Sequence, residues 1–546
     1  MTNFRTKKAR EKLLNSFGKL KSESFDMEQI ETYFRKKDHS NAFQVLSDKT
    51  CKDLDFQELY LFIDRTNSKI GQQFLYNRLR TIPLHSNEIT GFETLIEKFA
   101  NEPDFRVNIQ SELARLNDRE AFYITSLFQE EHLKPPKWFF IVRLLAFTSL
   151  LSLVMMIFNP TMIFTFLGVF VINMGVHYWN KKNLFEYLAS LPQLLKLSKV
   201  AKELFKNDAL KEINPNLQQS TDILDQVRNR MSLFNLEVKL QSDMQALFWG
   251  ILEIFKIAFL IEPLLLFGVL KRLENKRKEI ETIFEFVGQI DTLISIASFR
   301  HGLEKYCIPE IVEDQKHIVA EEAYHPLIPE CVKNSITVDG KSILLTGSNM
   351  SGKTSFIRTI GINAITAMTL NTCFADRFLL PRLKVFSAIR ISDDLMNDKS
   401  YYFEEVLTIK EMVDNSFSPI SNLFLLDEIF KGTNTVERIS AGKAVLSALT
   451  KENNLVFVST HDIELADLLK DEYELYHFSE KVDHKTVAFD YKLKDGKLKN
   501  RNAIRILQIN DYPESIIEEA ITLARQLDKT VMDMQIAQVA EPSGIR

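Results

Sequence analysis

Residues 346–358 read TGSNMSGKTSFIR, a run that fits one local structure better than any other, a loop closed around phosphate. It fills the pattern G-x-x-x-x-G-K-[ST] with Gly347, Gly352, Lys353 and Thr354. Glycines let the backbone curl so that successive N–H groups point inward at phosphate oxygens, and a helix starting near Lys353 adds the positive end of its dipole. Lysine reaches the β- and γ-phosphates, and the threonine hydroxyl is a ligand for Mg²⁺. Ser348, Asn349, Met350 and Ser351 form the spacer, and Ser355 extends the segment expected to bind nucleotide to residues 347–355. The flanks agree with this. Residues 341–346 form a short apolar run suited to a buried strand, and Phe356, Ile357 and Ile360 continue as an amphipathic helix. ATP and Mg²⁺ are therefore the expected cofactors.

From residue 343 onward short apolar runs alternate with helical segments, which implies a mostly parallel sheet. The run 422–426 ends in Asp427 and Glu428. Asp427 is placed to hold Mg²⁺ opposite Thr354, and Glu428 to orient and polarise a water for attack on the γ-phosphate. The run 455–459 ends in Ser459-Thr460-His461-Asp462, where His461 can sense the γ-phosphate by hydrogen bonding.

Composition excludes several classes. The chain is 45% hydrophobic and 26% charged, as a folded, non-fibrous protein is. A net charge of −5 leaves no global basic field to advertise nucleic acid, so any DNA contact has to be local. Cys51, Cys307, Cys331 and Cys373 are far apart with no C-x-x-C pair, which argues for reduced thiols in the cytosol and against a zinc site. The basic N-terminus leads into polar helix rather than an apolar core, so a cleavable signal peptide is not expected.

Two apolar runs, 139–158 and 161–178, flank the turn pair Asn159-Pro160, and each is close to the ~20 residues a helix needs to cross hydrocarbon. Arg143 is the one formal charge inside them. Lys134 and Lys137 precede the pair and Lys181 and Lys182 follow it, with Trp138, Tyr178 and Trp179 at interfacial positions. The expectation is a transmembrane hairpin, a multi-pass cell-membrane location and an ATPase domain in the cytoplasm. A helical hairpin buried in a core or dimer interface is the alternative. A third apolar stretch, 246–270, carries Glu253, Lys256, Glu262 and Pro263, so it is expected to be an amphipathic or core helix and is left out of the membrane count. Segments 185–205, 221–244 and 271–298 have the spacing of long packed helices.

The run TGSNMSGKT, Asp393-Asp394-Leu395, the S-x-x-x-x-E from Ser400 to Glu405, DEIFKGTN at 427–434 and STHD at 459–462 together resemble the ATPase domain of the MutS family, an ABC-type ATPase, over about residues 323–527. LFIDRTNSKIG at 61–71 is similar to the start of that family's core, or lever, domain, and 504–513 to its partner-embracing helical segment. The resemblance implies an α plus α/β fold. Together with the apolar hairpin, which departs from the family's pattern, the expected parts are a helical core at 1–133, the two-helix transmembrane hairpin at 134–182, a long-helix lever at 183–320, and a P-loop ATPase domain with a C-terminal dimerisation segment at 321–546. The resemblance also implies a homodimer in which Ser400 of one subunit completes the γ-phosphate site of the other, and a DNA client. Gly432-Thr433-Asn434 would transmit nucleotide state, although a plain turn is equally compatible. The family's Phe-x-Glu mismatch wedge is not expected here. Phe56-Gln57-Glu58 and Phe128-Gln129-Glu130 match it by letter, but in helical context. The function so implied is an ATP-dependent DNA-binding protein at the membrane. The alternative is a membrane ATPase that scaffolds or remodels proteins without touching DNA.

Overall fold

The computed structural model describes residues 2–85, 90–226, 246–313, 316–348, 350–390, 401–482, 487–498, 504, 507–508, 510, 512–524 and 526. The chain forms two units, Met1–Val45 with Tyr60–Glu304, and Leu46–Leu59 with Lys305–Arg546.

The first unit is largely helical. It contains α1 (Met27–Lys36), α2 (Lys69–Arg80), α3 (Phe139–Met155), α4 (Met162–Asn183), α5 (Phe185–Phe205), α6 (Ala246–Phe259), α7 (Ile261–Leu273) and α8 (Arg277–His301). Helix α8 buries Ile283, Val287, Ile290 and Ile294, a three- and four-residue spacing that lines one face. From that helix the fully buried Asp291 accepts hydrogen bonds from Asn67 N (2.8 Å), Ser68 N (2.8 Å) and Ser68 Oγ (2.6 Å). Ser68 in turn caps α2 by accepting from Gly71 N at 2.9 Å. The polar letters of DRTNS thus fix a buried turn. Burial still pushes the Asp291 carboxyl above its ordinary range.

Helices α3 and α4 form an antiparallel pair whose turn is closed by Asn159 Oδ1, which accepts from Thr161 N (3.1 Å) and Oγ1 (2.8 Å). Their polarity is inverted relative to a soluble helix pair: Ser149, Ser152, Asn173, His177 and Asn180 are buried, while Phe140, Leu144, Phe147, Phe164 and Val171 are exposed. Helix α4, at 22 residues, is long and apolar enough to cross a membrane; α3, at 17, is shorter. The helical stretch Ile261–His301, which spans α7 and α8, passes the same test, but 83% of its apolar window is buried in the protein.

The stretch 246–270 is not one helix. It breaks at Leu260, which takes a left-handed conformation (φ +48°) between α6 and α7. Pro263 explains the break, because it lacks an N–H and is tolerated only in a first helical turn, where the restart places it. The segment 271–298 is likewise divided, by the short 3₁₀ turn Glu274–Lys276. Of the expected helix 221–244, only the part up to residue 226 lies among the described residues.

The second unit holds two sheets. Its strands are β1 (Glu310–Val312), β2 (His317–Ala323), β3 (Asn334–Asp339), β4 (Ser342–Thr346), β5 (Arg377–Pro381), β6 (Lys384–Ala388), β7 (Asn422–Asp427), β8 (Leu455–Thr460), β9 (Tyr473–His477) and β10 (Lys494–Asp495). The main sheet has the order β10-β9-β4-β8-β7-β6 and is parallel except for β10. Strands β4 and β8 are buried along their whole length, as continuous apolar runs in a covered parallel sheet should be. Helices α9 (Lys353–Leu370), α10 (Tyr401–Ser416), α11 (Thr435–Leu449) and α12 (Ile463–Leu469) accompany them. Phe424, Leu426, Val456, Val458, Met412 and Leu446 share one core cluster. The other sheet has the order β1-β5-β2-β3.

Leu46–Leu59 supplies the second unit with a short helix, Asp48–Asp53, whose last residue is fully buried. Asp53 accepts from Ser387 Oγ (2.6 Å), Ile389 N (3.0 Å) and Arg390 N (2.8 Å), and so satisfies the backbone just past β6.

Candidate nucleotide-binding site

The loop between β4 and α9 depends on glycine at both ends. Gly347 has φ +151° and Gly352 φ +109°, and a Cβ on Gly347 would lie 2.7 Å from the Phe478 carbonyl oxygen. Lys353 opens α9, and its buried Nζ donates to Gly347 O (2.8 Å) and Ser348 O (2.9 Å). Burial lowers its pKa, with the charges of Asp427 and Glu428 opposing the shift. Ser348 Oγ donates to Glu480 Oε2 at 2.7 Å. Ser351 Oγ is buried with no hydrogen-bond partner among the described residues. Met350 is exposed and Ser355 follows Thr354 into the first turn of α9, whereas Asn349 lies outside the described residues.

Register brings the chemistry to one level. Ser459 of β8 pairs with Asp427 of β7, and Thr460 of β8 pairs with Thr346 of β4, so the loop and both strand ends face the same edge. Thr354 Oγ1 donates to Asp427 Oδ2 at 2.9 Å, and Ser459 Oγ donates to Asp427 Oδ1. Glu428 turns out of the strand with a left-handed backbone (φ +56°), its N–H donating to Ser459 O at 3.0 Å. Its carboxylate lies 2.7 Å from His461 Nε2 and 3.2 Å from Lys431 Nζ. The hydrogen bond from His461 holds the Glu428 carboxyl down at about 2.

Three contributors were not singled out from the sequence, and a fourth was marked without its role. Lys431 neighbours Glu428, Glu480 anchors Ser348, and Arg438 makes a two-point ion pair to Asp462 (2.9 and 2.8 Å) directly after His461. Glu405, buried on α10, accepts the Phe430 N–H and so pins the turn that follows Glu428; burial raises its pKa. Glu405 ends the S-x-x-x-x-E pattern, so the sequence marked its position but not its work. Ser400, Asp393, Asp394 and Leu395 lie outside the described residues.

Lys353, Thr354, Asp427, Glu428 and Lys431 line a cavity of about 640 Å³ that also takes in Met350 and Tyr491. They suit a nucleotide with a hard divalent cation. A hydroxyl and a carboxylate oxygen 2.9 Å apart form an oxygen donor pair of the kind Mg²⁺ takes, and the buried, unpartnered Ser351 Oγ and the ammonium of Lys353 provide hydrogen-bond capacity for phosphate.

A glycine-curled loop joining a buried parallel strand to a helix, with carboxylates at the end of a nearby strand, defines a P-loop nucleotide-binding domain. Residues 343–528 match the family model MutS domain V. Over that segment, about a third of its length, the chain is similar to the MutS family. Similar proteins include the DNA mismatch repair protein MutS of Aquifex pyrophilus, 27% identical over 252 residues (44% of this chain and 29% of the relative). Those of Petrotoga mobilis (29% identical over 283 residues, 48% of this chain and 33% of the relative) and Methanosarcina acetivorans (28% over 278 residues, 48% and 30%) are also similar. The matched region spans about a third of the length of these relatives.

Proposed function

We propose that the chain is a membrane-anchored, MutS-like ATPase that hydrolyses ATP as a homodimer and converts nucleotide state into movement of its helical arms. The observation that carries this reading is the meeting of Thr354 with Asp427 and of Glu428 with His461 at the ends of neighbouring parallel strands. Lys353 exchanges its two carbonyl partners for phosphate oxygens, and the loop N–H groups complete the cradle. Thr354 and Asp427 would hold Mg²⁺, which when bound supplies positive charge to the β- and γ-phosphate oxygens. Glu428, ionised and steered by His461 and Lys431, accepts a hydrogen bond from the attacking water and aligns it. Ser400 of the partner subunit would approach the γ-phosphate, making each site composite.

The anchor reading is supported by the apolar exterior and polar interior of the α3–α4 hairpin, and the flanking lysines favour a cytoplasmic side for the ATPase domain. DNA, duplex or branched, is the proposed client, because the relatives are named as DNA mismatch repair proteins. The decisive experiment measures ATPase rate of the full chain in detergent with and without duplex and branched DNA. Stimulation supports the DNA reading; a rate indifferent to DNA together with no DNA binding favours a membrane ATPase acting on proteins. Deletion of residues 138–180 should give soluble protein that retains hydrolysis, and a full chain that stays soluble without detergent would remove the anchor.

A further inference from the structure

Helix α6 presents its side chains the wrong way round for a soluble helix. Ile251, Ile254 and Phe255, at the i, i+3, i+4 spacing of one face, are 57%, 58% and 53% exposed. The charged residues of the same helix, Glu253 and Lys256, are buried. Glu253 meets two polar groups that α4 projects at i, i+4 spacing, and Lys256 meets Glu262 at the start of α7. Glu253 Oε1 lies 3.2 Å from both His177 Nε2 and Lys181 Nζ, and Lys256 Nζ lies 2.7 Å from Glu262 Oε1 and 3.4 Å from Glu253 Oε2. Asn173 Nδ2 donates to Ala258 O (2.7 Å), satisfying a carbonyl of the last turn of α6. Past the break, Leu260 packs against Phe139 and Val142 at the start of α3.

These contacts also fix a depth. Trp138 and Trp179 have ring centroids 5.4 Å apart, so the two feet of the hairpin are level. Asn173 is six residues up α4 from Trp179, about 9 Å at 1.5 Å per residue. The end of α6 bonded to Asn173 therefore reaches about 9 Å above that level, while Glu253 stays beside His177 and Lys181 near the aromatic ring pair. At 14 residues α6 is about 21 Å long, too short to span the ~30 Å hydrocarbon layer.

We infer that α6 dips end-on into the membrane beside α4 without crossing it, with Ile254 and Phe255 among lipid acyl chains and the Glu253–Lys256–Glu262 cluster clamping it to α4. The inference rests on the membrane reading of the hairpin. Lipid is the occupant rather than a second copy of the chain, because exposed apolar side chains surround α3 and α4 on many sides. A protein partner covers one stripe, whereas lipid wraps the whole perimeter.

The test uses the full chain with Cys51, Cys307, Cys331 and Cys373 replaced by alanine and one nitroxide, at Ile254→Cys or Leu150→Cys. It is reconstituted in phosphatidylethanolamine–phosphatidylglycerol vesicles. Collision with oxygen is compared with collision with a water-soluble nickel chelate. The label at 254 should favour oxygen and report a depth within about 9 Å of the Trp138–Trp179 level, shallower than the label at 150. Nickel access at 254 with a lipid-buried 150 overturns the inference and leaves the hairpin standing; nickel access at both overturns the hairpin too. Glu253→Ala should raise nickel access at 254 several-fold while 150 stays buried, and no change there would show that the ionic cluster does not hold α6.

Discussion

Replacing Glu428 by glutamine isolates the water-orienting step. The two carboxylate oxygens of Glu428 serve different neighbours: Oε1 faces His461 Nε2 at 2.7 Å and Oε2 faces Lys431 Nζ at 3.2 Å. Glutamine offers one oxygen and one NH₂, so whichever way it lies, one donor loses its acceptor and meets another donor. The variant therefore loses both the charge that polarises water and part of the geometry that aims it. General-base and orienting groups contribute ~10²–10⁴-fold, and the double loss places the expected fall at ~10³-fold or more, about 4 kcal/mol in the barrier. Lys353, Thr354 and Asp427 are untouched, so nucleotide affinity should stay within ~3-fold of the parent. Single-turnover hydrolysis of labelled ATP beside equilibrium binding of a fluorescent analogue measures both. Hydrolysis within ~10-fold of the parent, or affinity falling in step with rate, would refute the assignment. The same geometry sets a pH expectation. A carboxyl lowered to about 2 is ionised at every pH above that value and protonates only as pH falls through it, so Glu428 contributes no acid limb between pH 4 and 8. An acid limb that disappears in Glu428→Gln would contradict the His461 hydrogen bond.

Lys353→Ala should abolish detectable nucleotide binding rather than slow turnover, and binding titration separates the two. Asp53→Ala leaves the Ile389 and Arg390 amides without their acceptor at about 1–3 kcal/mol each, so exchange of those amides should speed by ~10-fold or more, whereas equal exchange would dismiss the cap. His325 is buried and its pKa is pushed down to about 4 by desolvation, so the unfolded chain binds its proton first. Stability should fall by up to about 3 kcal/mol as pH drops from 6.5 to 4, and His325→Asn should flatten that part of the denaturation profile. Ser400→Arg should bind ATP without hydrolysing it, and mixing it with Lys353→Ala subunits should restore one of the two composite sites; mixtures that remain inactive would argue for independent ATPase domains.

The phosphate loop was legible because its constraint is local: positive φ at Gly347 and Gly352 and a helix start at Lys353 leave few other residue choices. The strand ends were legible for a related reason, since apolar runs in a covered parallel sheet must stop where carboxylates begin. What stayed hidden depends on partners distant in sequence. Nothing near Glu405 says that it will accept the Phe430 N–H, and nothing near Asp53 points to residues 387–390. Within residues 246–270, read as an amphipathic or core helix, the inward turn of the charges and the division into two helices were not legible. Charges within an apolar helix usually mark a solvent face, and here they turn inward because α4 supplies His177 and Lys181 to meet Glu253 while Glu262 of α7 meets Lys256. The left-handed Leu260 was likewise invisible, since leucine carries no preference for that conformation.

The buried Asp53 also imposes a schedule on synthesis. Its acceptor Oδ2 waits for the Ser387 hydroxyl, 334 residues further along the chain. At about 5–20 residues per second a ribosome needs roughly 20–70 s to deliver it. Throughout that interval Leu46–Leu59 is a nascent segment whose native partners do not yet exist, while the residues after it can already begin to collapse. An unmet carboxylate resists premature burial, because desolvating it alone costs more than staying in water. The aspartate thus keeps the early segment soluble and accessible until the β6 end emerges to receive it, and slow codons placed between the two would lengthen the window in which chaperones or proteases can reach it.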